Sequence, residues 1–174
     1  AETLAWAVAV ALMSAAVFRA SGPLLDMPAR TKGGPFAGEV VNADTLRALV
    51  AGLAAVVGAW YFARSDMKGQ AIGAVAAGSV ITAFAGRRML EGAQPILLMA
   101  APVLGVGLAQ LFTALTAKVP LDVAFAQGML PGWSSVMPAD AACGALIGVP
   151  IGLGWSKPGE FGELMHDKIG RAHV

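Results

Sequence analysis

Charged side chains are scarce in this chain of 174 residues. They make up 13% of the sequence, about half of the quarter that is usual in soluble proteins. Apolar residues make up 57%, and the mean hydropathy is +0.69. A soluble domain of this size must cover a large surface with polar groups, and 12 basic and 11 acidic side chains are too few for that. Disorder is excluded as well, because it needs low hydrophobicity and high net charge. The composition therefore predicts a membrane protein.

The residues that carry redox, metal and nucleic-acid chemistry are also few. Cys143 is the one cysteine, which excludes an internal disulfide and a multi-thiolate zinc site. Both histidines, His166 and His173, lie near the C-terminus, so a bis-histidine haem between transmembrane helices is excluded. A net charge of +1 offers no basic field to nucleic acid. The sequence carries no catalytic or cofactor motif. We therefore expect no enzyme activity, no cofactor, no metal and no nucleic-acid partner.

The charged residues divide the chain into uncharged segments. A spanning helix needs roughly 20 mostly apolar residues, with about 17 as a lower bound. Five segments predict transmembrane helices, at residues near 3–18, 46–63, 69–86, 94–117 and 140–156. Several are short, so flanking arginines and lysines must reach out to the lipid headgroups. We predict an all-α membrane protein, a polytopic bundle of about five transmembrane helices that occupies residues 1–157.

Three other stretches do not fit a spanning helix. Residues 20–43 are rich in glycine and proline, which predicts a long irregular loop 1–2. This loop either covers the protein's own helix ends or docks on a neighbour. Residues 158–174 predict a short amphipathic C-terminal helix that rests in the membrane interface. In residues 123–139 the turn around Pro131 predicts an interfacial loop, whose side chains Phe125, Met129, Leu130 and Trp133 dip into the headgroups. A re-entrant segment is the alternative for that stretch.

The distribution of basic residues predicts the orientation. Nine lysines and arginines lie in loop 1–2, loop 3–4 and the tail, against three on the opposite side. We expect the C-terminus on the cytoplasmic, stromal or matrix side and the N-terminus on the translocated side. A bacterial inner membrane or an organellar membrane, thylakoid or mitochondrial inner, fits this pattern. The chain begins at Ala1 without a methionine, which fits either a removed presequence or a start that lies upstream.

Small residues recur at helical spacing in two of the predicted spans. Gly144, Gly148 and Gly152 repeat every four residues in the last span, and Gly69 and Gly73 do so in the third. Such small-xxx-small (GxxxG) ridges let helix backbones approach closely. We therefore predict that these glycines pack against helices, either within the chain or between chains.

Polar residues in the fourth span form a candidate polar site. Gln110 and Thr113 lie three residues apart on one helical face, beyond Pro102, which should kink the helix. A broken helix with nearby polar groups is typical of transporter sites. The alternative is that Gln110 hydrogen-bonds a neighbouring helix. Asp122 and Asp140 bracket the far-side loop, where proton transfer is one reading and ordinary acids at span ends the other.

The sequence is compatible with two functions. The absence of catalytic motifs, the glycine ridges and the long loop favour a non-catalytic accessory or structural subunit of a larger membrane complex, such as a photosynthetic or respiratory energy-converting assembly. Its partners would be the lipid bilayer and other membrane protein subunits. The interrupted fourth and fifth spans favour the alternative, a small lipid or solute transporter or channel that acts as a homo-oligomer.

Overall fold

The computed structural model describes residues 2–21, 47, 49–63, 67–89 and 95–156. These residues form helices, turns and short connections, with no strand among them. The helices are α1 (Glu2–Ser21), α2 (Leu53–Phe62), α3 (Lys68–Met89), α4 (Pro95–Thr116), α5 (Leu121–Ala126) and α6 (Pro138–Ser156), and a 3-10 turn occupies Gly132–Ser134. The prediction of an all-helical protein is confirmed for this part of the chain.

Two predicted features fall largely beyond these residues. The amphipathic helix at 158–174 lies outside the described residues, and so does loop 1–2 from residue 22 to its end at residue 43. The first two residues of the predicted loop belong to α1, which continues to Ser21.

Three helices are long and apolar enough to cross a membrane. They are Lys68–Arg88, Leu98–Thr116 and Pro138–Ser156. Two shorter apolar helices occupy Glu2–Val17 and Leu49–Phe62. Length and composition therefore support three spans, and the number five stays a prediction.

Consecutive long helices run in opposite directions. Thr3, at the start of α1, hydrogen-bonds Gln110 near the end of α4. Gly86, near the end of α3, faces the side chain of Leu98 near the start of α4. The helices α1, α3 and α6 consequently begin at one end of the bundle, where α2 and α4 finish. We call this end, which carries Glu2, Lys68 and Asp140, the Glu2 end. The opposite end, which carries Arg19, Arg87 and Arg88, is the Arg88 end.

Three buried glycines of α6 lie directly against the backbone of α3. A Cβ on Gly148 would overlap the carbonyl oxygen of Ala76, and one on Gly152 would overlap the carbonyl oxygen of Val80. Gly144, one turn earlier, faces the preceding turn of α3 in the same way. The contacts advance together along both helices, so α3 and α6 are parallel. Because the opposing atoms belong to backbone, no rotamer change makes room for a side chain at these positions.

The other predicted glycine ridge lies on a different face of α3. Gly69 and Gly73 are exposed, and a Cβ on either would meet no described atom within 4 Å. Ala77, one turn further on, is exposed too. This stripe takes no part in the contacts between the described helices. Its role in helix packing stays a prediction.

Small side chains fill the inside of the bundle and large apolar ones cover the outside. The core consists mainly of alanine and valine, and Leu98 is the largest fully buried side chain among the described residues. The exposed apolar side chains include Trp6, Leu12, Leu53, Trp60, Phe112, Ile147 and Trp155. This arrangement is the reverse of a water-soluble helical protein, which buries leucine, isoleucine and phenylalanine.

Gly148→Ala should destabilise the bundle, because the added methyl group would push α6 away from the Ala76 carbonyl. We expect the free energy of unfolding to fall by about 1–3 kcal/mol, although alanine is the better helix former. Thermal unfolding in detergent, followed by circular dichroism, measures the change. Gly154→Ala is the matched control, since Gly154 lies on the same helix with no described atom within 4 Å of its Cβ position. Equal unfolding midpoints for the two variants would contradict the close α3–α6 contact.

Candidate functional site

Gln110 connects three parts of the chain at the Glu2 end. Its side-chain oxygen accepts a hydrogen bond from Thr3 Oγ1 at 2.5 Å. Its side-chain nitrogen donates to the carbonyl oxygens of Trp133 at 3.0 Å and Val136 at 2.8 Å. Both amide hydrogens and the amide oxygen are thus engaged. Gln110 fastens the first turn of α1 and residues 133–136 to α4.

Thr113 extends this cluster by one helical turn. Its hydroxyl donates to the carbonyl oxygen of Ala109 at 2.9 Å and accepts a hydrogen bond from Trp133 Nε1 at 3.0 Å. Trp133 is half-buried and packs against the core. The expectation that Trp133 dips into the headgroups stays a prediction, and its indole N–H turns towards the bundle. Thr113 is the reason, because it gives the indole N–H a partner on the protein.

Glycine allows the connection between α5 and α6 to fold onto the bundle. Gly128 has a φ of 66°, a left-handed conformation that side chains rarely adopt. At Gly132, a Cβ would lie 2.5 Å from the carbonyl oxygen of Ala63 and 2.8 Å from that of Ala59. The connection can consequently rest on the last turn of α2. Together with Gln110 and Thr113, these two glycines fix residues 128–136 across the Glu2 end.

The structure brings Gln110 and Thr113 into one cluster, as their spacing on α4 requires. Their partners could not be found from the sequence. The donor Thr3 is 107 positions away from Gln110. The two acceptors of the Gln110 amide are main-chain carbonyl oxygens, which a pattern of side chains does not reveal. The predicted glycines lie elsewhere, along α3 and α6. The polar groups of Gln110 serve to hold the structure together, which agrees with the alternative that Gln110 bonds a neighbouring helix.

A cavity of about 640 Å³ lies beside this cluster at the Glu2 end. It is bounded by the first turns of α1, α3 and α6, by the end of α4, and by α5 with the connection that follows it. This volume is within the range of roughly 300–1,000 Å³ for small-molecule sites. Its charged lining residues are Glu2, Lys68, Asp122 and Asp140.

Asp140 is the most enclosed of these charged residues. It is only 9% exposed, and it makes no hydrogen bond or ion pair with any other residue in the described part of the chain. It lies in the first turn of α6, where the unpaired backbone N–H groups favour a negative charge. The carboxylate therefore reaches the cavity without a cationic partner of its own.

Ser134 also lines the cavity, but not through its hydroxyl oxygen. Its hydroxyl oxygen is buried and has no hydrogen-bond partner among the described residues. Ser135, next to it, is already engaged, because its hydroxyl donates to the carbonyl oxygen of Gly132 at 2.7 Å. Among the described polar side chains of this wall, Asp140 is thus the enclosed one that the fold leaves without a partner.

A metal centre does not fit the described residues. Among them, no group of three or more histidine, cysteine, aspartate or glutamate side chains could hold a metal ion. Comparison with known proteins found no family model that matches the chain, no similar curated protein and no similar solved structure.

Gln110→Leu should loosen the connection between α5 and α6. The substitution leaves two carbonyls without their donor and the Thr3 hydroxyl without its acceptor. We expect the free energy of local opening at residues 131–136 to fall by about 1–3 kcal/mol, read as faster backbone hydrogen exchange by mass spectrometry. Thr116→Val is the control, since the exposed Thr116 hydroxyl bonds only carbonyls of its own helix. Unchanged exchange in Gln110→Leu would show that other contacts hold this connection.

Proposed function

We propose that this chain is an integral membrane protein whose five apolar helices, α1, α2, α3, α4 and α6, all cross the bilayer. The outward position of the large apolar side chains supports this, because such a surface is stable only against hydrocarbon. The alternating directions of the helices are those of a chain that crosses five times. The segment Leu49–Phe62 is short for a span, so the bilayer would thin beside it or flanking side chains would reach outward.

Charge supports one orientation of this bundle. The described basic residues at the Arg88 end are the arginines 19, 47, 87 and 88, whereas the Glu2 end carries Lys68 and Lys118 together with three carboxylates. Cytoplasmic loops carry the excess of lysine and arginine. The Arg88 end would then face the cytoplasm, stroma or matrix, and the N-terminus would lie on the translocated side of a bacterial inner or organellar membrane.

Within the membrane we propose a non-catalytic role as a subunit of a larger complex. The observation that carries this role is the open stripe of Gly69, Gly73 and Ala77 on α3. It borders a shallow groove of about 260 Å³ beside Phe62, and no described helix fills that groove. Small residues on a membrane helix let the backbone of a second helix come close. A helix of another membrane subunit is the occupant that we propose.

A small-solute transporter or channel is the second candidate, and the cavity at the Glu2 end favours it. Further along the bundle, however, the fully buried side chains of Val10, Val103 and Val106 close the interior. Passage of a solute would require a second arrangement of the helices. As a homo-oligomer, such a transporter would seat a second copy of this chain on the stripe.

Gly73→Leu should separate the chain from its complex without unfolding it, because a side chain at this position meets open space within the described structure. We expect the parent protein, extracted from its native membrane in polymer nanodiscs, to migrate with other subunits and Gly73→Leu to migrate as a smaller species. Native mass spectrometry gives the composition, and thermal unfolding shows that the variant is folded.

Gly154→Leu is the control for this experiment, since Gly154 is equally open but lies on α6. It should keep the complex. A parent protein that migrates as a monomer would contradict the subunit role. A complex made of copies of this chain alone would favour the transporter instead, and a Gly73→Leu variant that keeps its partners would rule out the stripe as the contact.

A further inference from the structure

We infer that the cavity at the Glu2 end is a binding site for a protonated organic amine, with Asp140 as its charge partner. The Asp140 side chain is 9% exposed and lines the cavity without a partner in the described structure. An ionised carboxylate removed from water is costly unless another charge or hydrogen bonds compensate it. The N-terminal turn of α6 compensates in part, and a bound ammonium group would supply the rest.

The charge of the lining selects a cation. Glu2 and Asp122 line the same cavity, and Lys68 is the one basic residue among the described side chains of its wall. Three carboxylates against one ammonium group leave an excess of negative charge in a partly enclosed site, where the field is screened less than at an open surface. An anionic ligand would meet this excess and be repelled.

The remaining lining selects an organic cation over a metal ion. The acidic side chains do not form a group that could hold a metal in the described part of the chain. Much of the wall is hydrocarbon instead, from side chains such as Leu121, Phe125 and Leu130. A primary amine with an apolar portion satisfies all of these groups together.

Two kinds of molecule can supply the ammonium group that binds in this cavity. It can belong to a free amine that enters from the aqueous side, or to the headgroup of an aminophospholipid in the surrounding bilayer. The chemistry that Asp140 recognises is the same in both cases. The site belongs to this chain alone, so the inference goes beyond the subunit role and holds for an isolated copy as well.

The experiment uses the full chain in nanodiscs of phosphatidylglycerol, a lipid without an amine. Isothermal titration with 2-phenylethylamine should give saturable binding at one site. Asp140→Asn should weaken this binding by at least about tenfold, because the buried carboxylate loses its charge. Glu91→Gln, which removes the same charge from the connection between α3 and α4, should leave the binding unchanged.

If Asp140→Asn fails to fold, a second ligand provides the test with the parent protein. The neutral isostere 2-phenylethanol should bind the parent protein at least about tenfold more weakly than the amine. Equal binding of amine and alcohol, or parent-like affinity in a folded Asp140→Asn variant, would overturn the inference. Nanodiscs that contain phosphatidylethanolamine identify the source, since competition with the probe indicates the lipid headgroup and its absence indicates a free amine.

Discussion

Backbone contact between α3 and α6 sets the dimensions of the whole bundle. Gly148 and Gly152 leave no room for a Cβ between the two helices, and α3 in turn lies against α2 and α4. At this spacing the interior accepts little beyond alanine, glycine and valine, so the bulky apolar side chains must point outward. An outer surface of leucine, phenylalanine and tryptophan then requires an apolar surrounding. The membrane location that we propose would therefore follow from how closely the helices approach one another.

The small side chains of the core are too short to link distant parts of the chain. At the Glu2 end, hydrogen bonds from longer polar side chains make these links. Gln110 alone hydrogen-bonds α1 and the connection before α6 from its position on α4. The same hydrogen bonds shape the wall of the cavity. Because Gln110 and Thr113 are engaged there, the ligand contact that we propose in this cavity is Asp140. The ligand site that we propose thus lies at the start of α6, whereas the spacing of polar residues predicts one on α4.

The sequence predicts where the helices begin and end better than it predicts which helix faces contact each other. The positions of charged residues mark where α3, α4 and α6 begin and end, because a charge is costly inside hydrocarbon. Spacing alone does not say which ridge of small residues meets a helix. Gly144, Gly148 and Gly152 lie against α3, whereas Gly69 and Gly73 have the same spacing and face open space in the described structure. The inward turn of Trp133 likewise depends on Thr113, which only the folded chain brings near.

Accessibility of single cysteines tests most directly whether this bundle spans a membrane. The exposed Cys143 is first replaced by alanine. Cysteine is then introduced at Lys118, just after α4, or at Arg88, near the end of α3. These two positions lie at opposite ends of the bundle. In intact cells, a membrane-impermeant maleimide should label the Lys118→Cys protein from the translocated side. The Arg88→Cys protein should be labelled only after the membrane is permeabilised. Labelling of both proteins from the same side, or recovery of the chain in the soluble fraction, would contradict a membrane-spanning bundle.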